Sequence, residues 1–167
     1  ALCILSAINI GKIRDVSDLK SLCDLSVRSL DELIDFQGYP VEAAEIATKA
    51  RRSLGIGYIG LAHYLAKQGV KYGDQKAWEL VHDLTEAFQY HLIESTVNLA
   101  KEKGACEYSS RTKYGQGILP IDTYKKDVDE LVPNNLKYDW DSLRALVKEH
   151  GVRNSTLSAQ MPSESSS

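Results

Sequence analysis

Apolar side chains recur along this chain in two rhythms, and the rhythm tells helix from strand. Leu19, Leu22, Cys23, Val27, Leu30, Leu33 and Ile34 fall three or four positions apart, the spacing of one helix face, and Ser17 stands where an N-cap belongs. The same period predicts a long helix over residues 74–103, with Trp78, Val81, Leu84, Phe88, Leu92, Ser95 and Leu99 as its inner stripe and Gly104 as its stop. A third amphipathic helix covers residues 140–150 and stops at Gly151. Shorter helices are expected over residues 41–50, after the punctuation of Gly38 and Pro40, and from the end of the 53–57 strand through Leu65, ended by Gly69. Residues 1–10, 53–57 and the alternating stretch 154–161 read as buried strands, the last broken by Pro162. Strands separated by long helices imply a parallel sheet with helical crossovers, so the fold class is α/β. Gly55 and Gly57 lack the full GxGxxG turn of a dinucleotide loop and read as sites of close backbone packing.

A chain of 167 residues, 43% hydrophobic and 26% charged, fits one globular domain. Its net charge of −3 and lack of a basic run leave no electrostatic footprint for direct nucleic-acid binding. Small molecules and proteins are the expected partners. No apolar run approaches the roughly 20 residues of a membrane helix, and the apolar start lacks a basic flank, so no membrane association and a cytoplasmic location are expected. The three cysteines, Cys3, Cys23 and Cys106, show no CxxC spacing, and the four histidines show no HExxH. Neither a disulfide scaffold nor a metal site is indicated. Cys23 sits on a helix stripe and Cys106 in a loop rich in Tyr, Ser and Gly, so packing is the expectation for both. The chain opens in an apolar strand and ends inside an opening helix, which reads as a piece of a longer polypeptide.

Two places carry chemistry. After the strand breaks at Pro162 come Ser163, Glu164, Ser165, Ser166 and Ser167, hydroxyls and backbone N–H groups where a helix would begin. By residue type this is either a solvated tail or a phosphate-binding turn. Cys3, flanked by apolar residues, is either a small buried hydrophobe or a reactive thiol.

Four blocks in order choose between these readings: Ala1-Leu2-Cys3-Ile4-Leu5-Ser6-Ala7, Arg51-Arg52-Ser53-Leu54-Gly55-Ile56-Gly57, Gly117-Ile118-Leu119-Pro120-Ile121-Asp122-Thr123-Tyr124-Lys125-Lys126, and the stretch from Trp140-Asp141-Ser142-Leu143 to Ser166. Together they resemble the large, catalytic subunit of class I ribonucleotide reductases. The resemblance implies a ten-stranded α/β barrel of two five-stranded parallel halves running antiparallel to each other, with this chain at the start of the second half and contributing about three strands. It implies that Cys3 is one member of a redox-active cysteine pair whose partner lies outside this chain. It further implies that Pro162, Ser163, Glu164, Ser165 and Ser166 hold the phosphates of a ribonucleoside diphosphate, with serine at Ser165 where a threonine is common. Met161 is expected to line that pocket or to pack in the core. Glu164 would repel a phosphate if turned inward, so backbone N–H groups and hydroxyls are the expected donors.

The family's Asn-x-Cys-x-Glu constellation, which holds the radical cysteine, is absent from this sequence, as are the tyrosines of its radical relay and its C-terminal cysteine pair. The isolated chain is therefore expected to be inactive and to bind no cofactor. The complete enzyme, by resemblance, needs the rest of the catalytic subunit, a metal-containing small subunit that generates the radical, and a thioredoxin- or glutaredoxin-type dithiol reductant. A segment of a cobalamin-dependent class II enzyme, or a non-catalytic helical interaction module that lost the chemistry, are the alternatives.

Overall fold

The computed structural model describes Leu2 and residues 4–162. Two strands, β1 (Ile4–Asn9) and β2 (Leu54–Ile59), pair in parallel with Ile4 opposite Leu54 and Asn9 opposite Ile59. A parallel pair needs a crossover, supplied here by α1 (Asp18–Phe36) and α2 (Glu42–Arg51). After β2 come α3 (Leu61–Lys67), the long α4 (Gln75–Lys103), the single-turn α5 (Pro120–Thr123) and α6 (Trp140–His150). No helix among the described residues is long and apolar enough to cross a membrane.

Alternation decides which side of the sheet is covered. Ile4 and Ile8 of β1 and Leu54 and Ile56 of β2 share one core with Leu19, Cys23, Val27, Leu30 and Ile34 of α1. Burying each aliphatic side chain of this set contributes about 1.5–3 kcal/mol. α4 packs against α1 and α6 through Leu84, Phe88, Leu92 and Leu99. The other sheet face carries Leu5, half exposed, with Ala7 and Asn9 exposed beside it. That second face is open over β1, while over β2 Gly55 and Gly57 are buried beneath residues 159–161.

The predicted helices over 74–103 and 140–150 match α4 and α6 to within a residue. Three details differ. Ser17 already has helical φ and ψ and its hydroxyl caps nothing; the Asp15 carboxylate accepts from the Ser17 N–H instead (2.9 Å), so the turn begins earlier. Trp78, placed on the inner stripe of α4, is 37% exposed because burial on that turn is taken by Ala77, and its ring N–H donates to the Tyr72 carbonyl.

The third difference matters most. Residues 154–161 do not form a regular buried strand: Thr156, Ser158, Ala159 and Gln160 are exposed, and the ladder beside β2 reduces to a bridge between Ile56 and Ser158. The Leu54 and Ile56 N–H groups donate to the Thr156 and Leu157 carbonyls (3.0 and 2.8 Å), and Ala159 N–H returns a bond to Ile56 (3.1 Å). The chain then rises over β2: a Cβ on Gly57 would lie 2.5 Å from the Ala159 carbonyl oxygen. A segment crossing over its neighbour cannot continue the ladder beside it.

Candidate functional site

The segment leading to Pro162 is held at its base by a buried polar cluster. Asp31, on the inner face of α1, is fully buried, and so is Asn154, the first residue of the bridging segment. Between them lies Arg52, the residue that ends α2 in the left-handed region (φ 48°), a conformation costing a side chain roughly 1–2 kcal/mol. The side chain offsets that strain: its guanidinium donates to the Asp31 carboxylate (2.6 Å), the Asp31 carbonyl (2.7 Å) and, in bidentate fashion, the Asp35 carboxylate (3.0 and 2.8 Å). Burial opposes the Arg52 charge, yet the bonds to Asp35 and Asp31 outweigh it and raise its pKa. The same hydrogen bond from Arg52 holds the Asp35 carboxyl below the usual carboxylate range.

Asn154 closes the cluster. Its amide donates to Asp31 (3.0 Å) and to the Arg52 carbonyl (3.1 Å), while its oxygen accepts from Thr96 on α4 (2.9 Å). Arg153 adds a 3.2 Å bond to the second Asp31 oxygen. A second buried carboxylate, Glu86 on α4, accepts from the Lys137 and Tyr138 N–H groups and the Trp140 ring N–H (2.9, 3.1 and 3.0 Å) and so sets where α6 begins. Both ends of α6 are thereby tied to α4.

From Asn154 the segment runs along β2 to Pro162. The Ser53 and Ser155 hydroxyls bond each other at 2.8 Å. Further on, the Gln160 side chain does what backbone would do in a strand: its oxygen accepts from the Tyr58 N–H (3.2 Å) and its amide donates to the Tyr58 carbonyl (2.8 Å). Met161 is half-buried, its Cε 2.9 Å from where a Gly57 Cβ would sit, and Pro162 is exposed. Met161 thus borders the sheet face and its open side, not the core. The expected turn residues Ser163, Glu164, Ser165 and Ser166 lie outside the described residues, as does Cys3. Near Cys3, the Leu2 N–H donates to the Thr48 hydroxyl on α2 (2.8 Å) and Ile4 opens β1.

The other two cysteines are placed as packing. Cys23 is fully buried and burial pushes its thiol up to about 12, with Asp24 adding to the shift. Cys106 is buried and its thiol is raised by the same cause. Neither presents a thiolate to an oxidant near neutral pH.

A family model described as the ribonucleotide reductase barrel domain matches residues 1–167, the entire chain. The chain belongs to this family. It is 59% identical over its whole length to the ribonucleoside-diphosphate reductase subunit alpha of Haemophilus influenzae, and 46% identical over 99% of its length to that of Enterobacteria phage T4. Over 80% of the chain it is 54% identical to the ribonucleoside-diphosphate reductase 1 subunit alpha of Escherichia coli. The chain spans about a fifth of these relatives, 22% of the Haemophilus protein and 18% of the Escherichia one. The parallel sheet with its crossover helices is thereby part of a ribonucleotide reductase barrel, as its sequence blocks imply.

Sequence reasoning missed Asp31, Arg52, Asn154 and Gln160. Arg52 falls within a quoted block, but nothing in its neighbourhood names a partner 21 residues upstream or an asparagine 102 residues downstream.

Proposed function

We propose that the chain is the part of a ribonucleoside-diphosphate reductase catalytic subunit that carries one redox cysteine, Cys3, and the turn holding the substrate diphosphate, Pro162 to Ser166. Family membership supports the enzyme class. The observation that carries the assignment of the turn is the construction leading to it: a buried Asp31–Arg52–Asn154 cluster at one end of the segment and the Gln160 clasp over Gly57 at the other. A loop that binds a phosphate through backbone N–H groups gains affinity when its approach is fixed beforehand.

In this reading the ribose is activated by a radical formed with the help of a metal-containing small subunit. Cys3 and a partner thiol outside this chain then supply two electrons and two protons. The ribose 2′-hydroxyl leaves as water, hydrogen takes its place, and the two sulfurs join in a disulfide that a thioredoxin- or glutaredoxin-type dithiol reduces again. The remaining part of the catalytic subunit covers the open sheet face and supplies the radical cysteine, so the isolated chain has no reductase activity.

The test is made on the assembled enzyme. Bulky apolar replacements of Ser163 and Ser165 together should weaken ribonucleoside diphosphate binding roughly tenfold to a hundredfold. Cys3→Ser should retain substrate binding but stop multiple turnover with a dithiol. Unchanged affinity in the folded double serine variant removes the phosphate assignment; continued cycling of Cys3→Ser removes the redox one.

A further inference from the structure

A cleft of about 610 Å³ opens at the N-terminal ends of the strands, between the start of β2, the loop of residues 108–120 and the Ser155–Ser158 stretch. Ser53, beside it, lies four residues before Gly57 and hence about 13 Å along β2 from the place where Met161 crosses. Arg51, Arg111 and Lys113 line the cleft, and no Asp or Glu does. The rest of the chain makes this unusual. Of its seven arginines, Arg14, Arg28, Arg52, Arg144 and Arg153 all hold a carboxylate, and among the described residues Arg51 and Arg111 hold none. These two stack over the same ring, Tyr108, with guanidinium carbons 4.3 and 4.6 Å from its centroid.

Two like charges gathered on one ring, in a chain of net negative charge, repel each other until an anion joins them. Arginine forks suit phosphate in particular, since they offer paired N–H donors in a plane. Hydroxyls of Ser53, Thr112, Ser155 and Ser158 surround the same space. At the back wall Gln89 of α4 donates to the Ser158 hydroxyl (2.7 Å), while its own amide oxygen is shielded and has no partner among the described residues.

We propose that this cleft binds a small hydroxylated phosphate ester, with Arg51, Arg111 and Lys113 on the phosphate and the Ser53, Ser155 and Ser158 hydroxyls facing the hydroxyl end. The site is independent of the turn at Pro162 and of the reading given to it.

The experiment places fluorotyrosine at Tyr108 in the assembled reductase and follows its fluorine NMR signal. Glycerol phosphate should shift the signal saturably and bind more tightly than inorganic phosphate. The exposed double substitution Arg111→Gln with Lys113→Gln should weaken that binding about tenfold or more, while bulky replacement of Ser163 should leave it unchanged. No saturable shift, equal affinity in the double variant, equal affinity for glycerol phosphate and inorganic phosphate, or a response to an acidic peptide alone would each overturn the proposal.

Discussion

The segment of residues 154–162 is anchored in opposite ways at its two ends. At Asn154 the side chain is fully buried, and its partners come from α1, α4 and the end of α2. At Gln160 the side chain is exposed and holds one residue of one strand, over a gap that exists because Gly57 has no Cβ. A base that cannot move without unpairing charges, followed by a tip held by two exposed hydrogen bonds, gives a loop with a defined position and local freedom.

Breaking the base should have the largest effect. Asp31→Ala leaves Arg52 and Arg153 without their shared carboxylate, and loss of one partner from a buried ion pair costs about 3–5 kcal/mol. The denaturant midpoint of the assembled enzyme should fall accordingly, and a drop no larger than that of a surface control would mean the cluster does not anchor the segment. Next comes Gly57→Ala, whose added methyl would overlap the Ala159 carbonyl at 2.5 Å. Overpacking of this kind costs about 1–3 kcal/mol. Because the strain falls on the segment leading to the turn, substrate affinity should drop by more than stability does; the reverse ranking would separate Gly57 from the turn.

Gln160→Ala sharpens the contrast from the tip. It removes two exposed hydrogen bonds, worth about 1 kcal/mol each at most, and leaves the base intact. Hydrogen exchange at the Tyr58 amide should accelerate while the Asn154 amide stays protected. The smallest effect is the acid dependence of the base. Asp35 has its folded pKa lowered by Arg52, so its contribution is fully present above the ordinary carboxylate range near 3.9 and is lost as pH falls through the lower folded value. Its side chain is 49% exposed, and solvent screening keeps the contribution below about 1 kcal/mol. Asp35→Asn should lower the neutral plateau by that small amount and leave stability below the folded pKa unchanged, so the acid limb flattens; an unmoved neutral plateau would show that the pair contributes nothing.

Elements whose stabilising contacts are periodic were readable in advance. The stripe of α1, the length of α4 with its Gly104 stop and the span of α6 before Gly151 follow from local spacing and local backbone freedom, which a sequence displays directly. The packing role of Gly57 was also legible, because a glycine in a strand signals close approach. The identity of what approaches it was not. The alternation of residues 154–161 suggested a strand with the right period, yet the crossing over Gly57 and the glutamine clasp ended the ladder early.

By itself, then, the amino-acid sequence determined the helices other than the single-turn α5, the two paired strands, the burial of Cys23 and membership of the family, because each depends on periodicity or on the order of residues. Only the tertiary structure decided that Arg52 would sit in a left-handed conformation between Asp31 and Asn154, that Gln160 would stand in for a strand, and that Arg51 and Arg111 would meet over Tyr108. These are meetings of polar groups tens of residues apart. A hydrogen bond or ion pair is directional and depends on where both partners arrive, so no local pattern in the chain announces it.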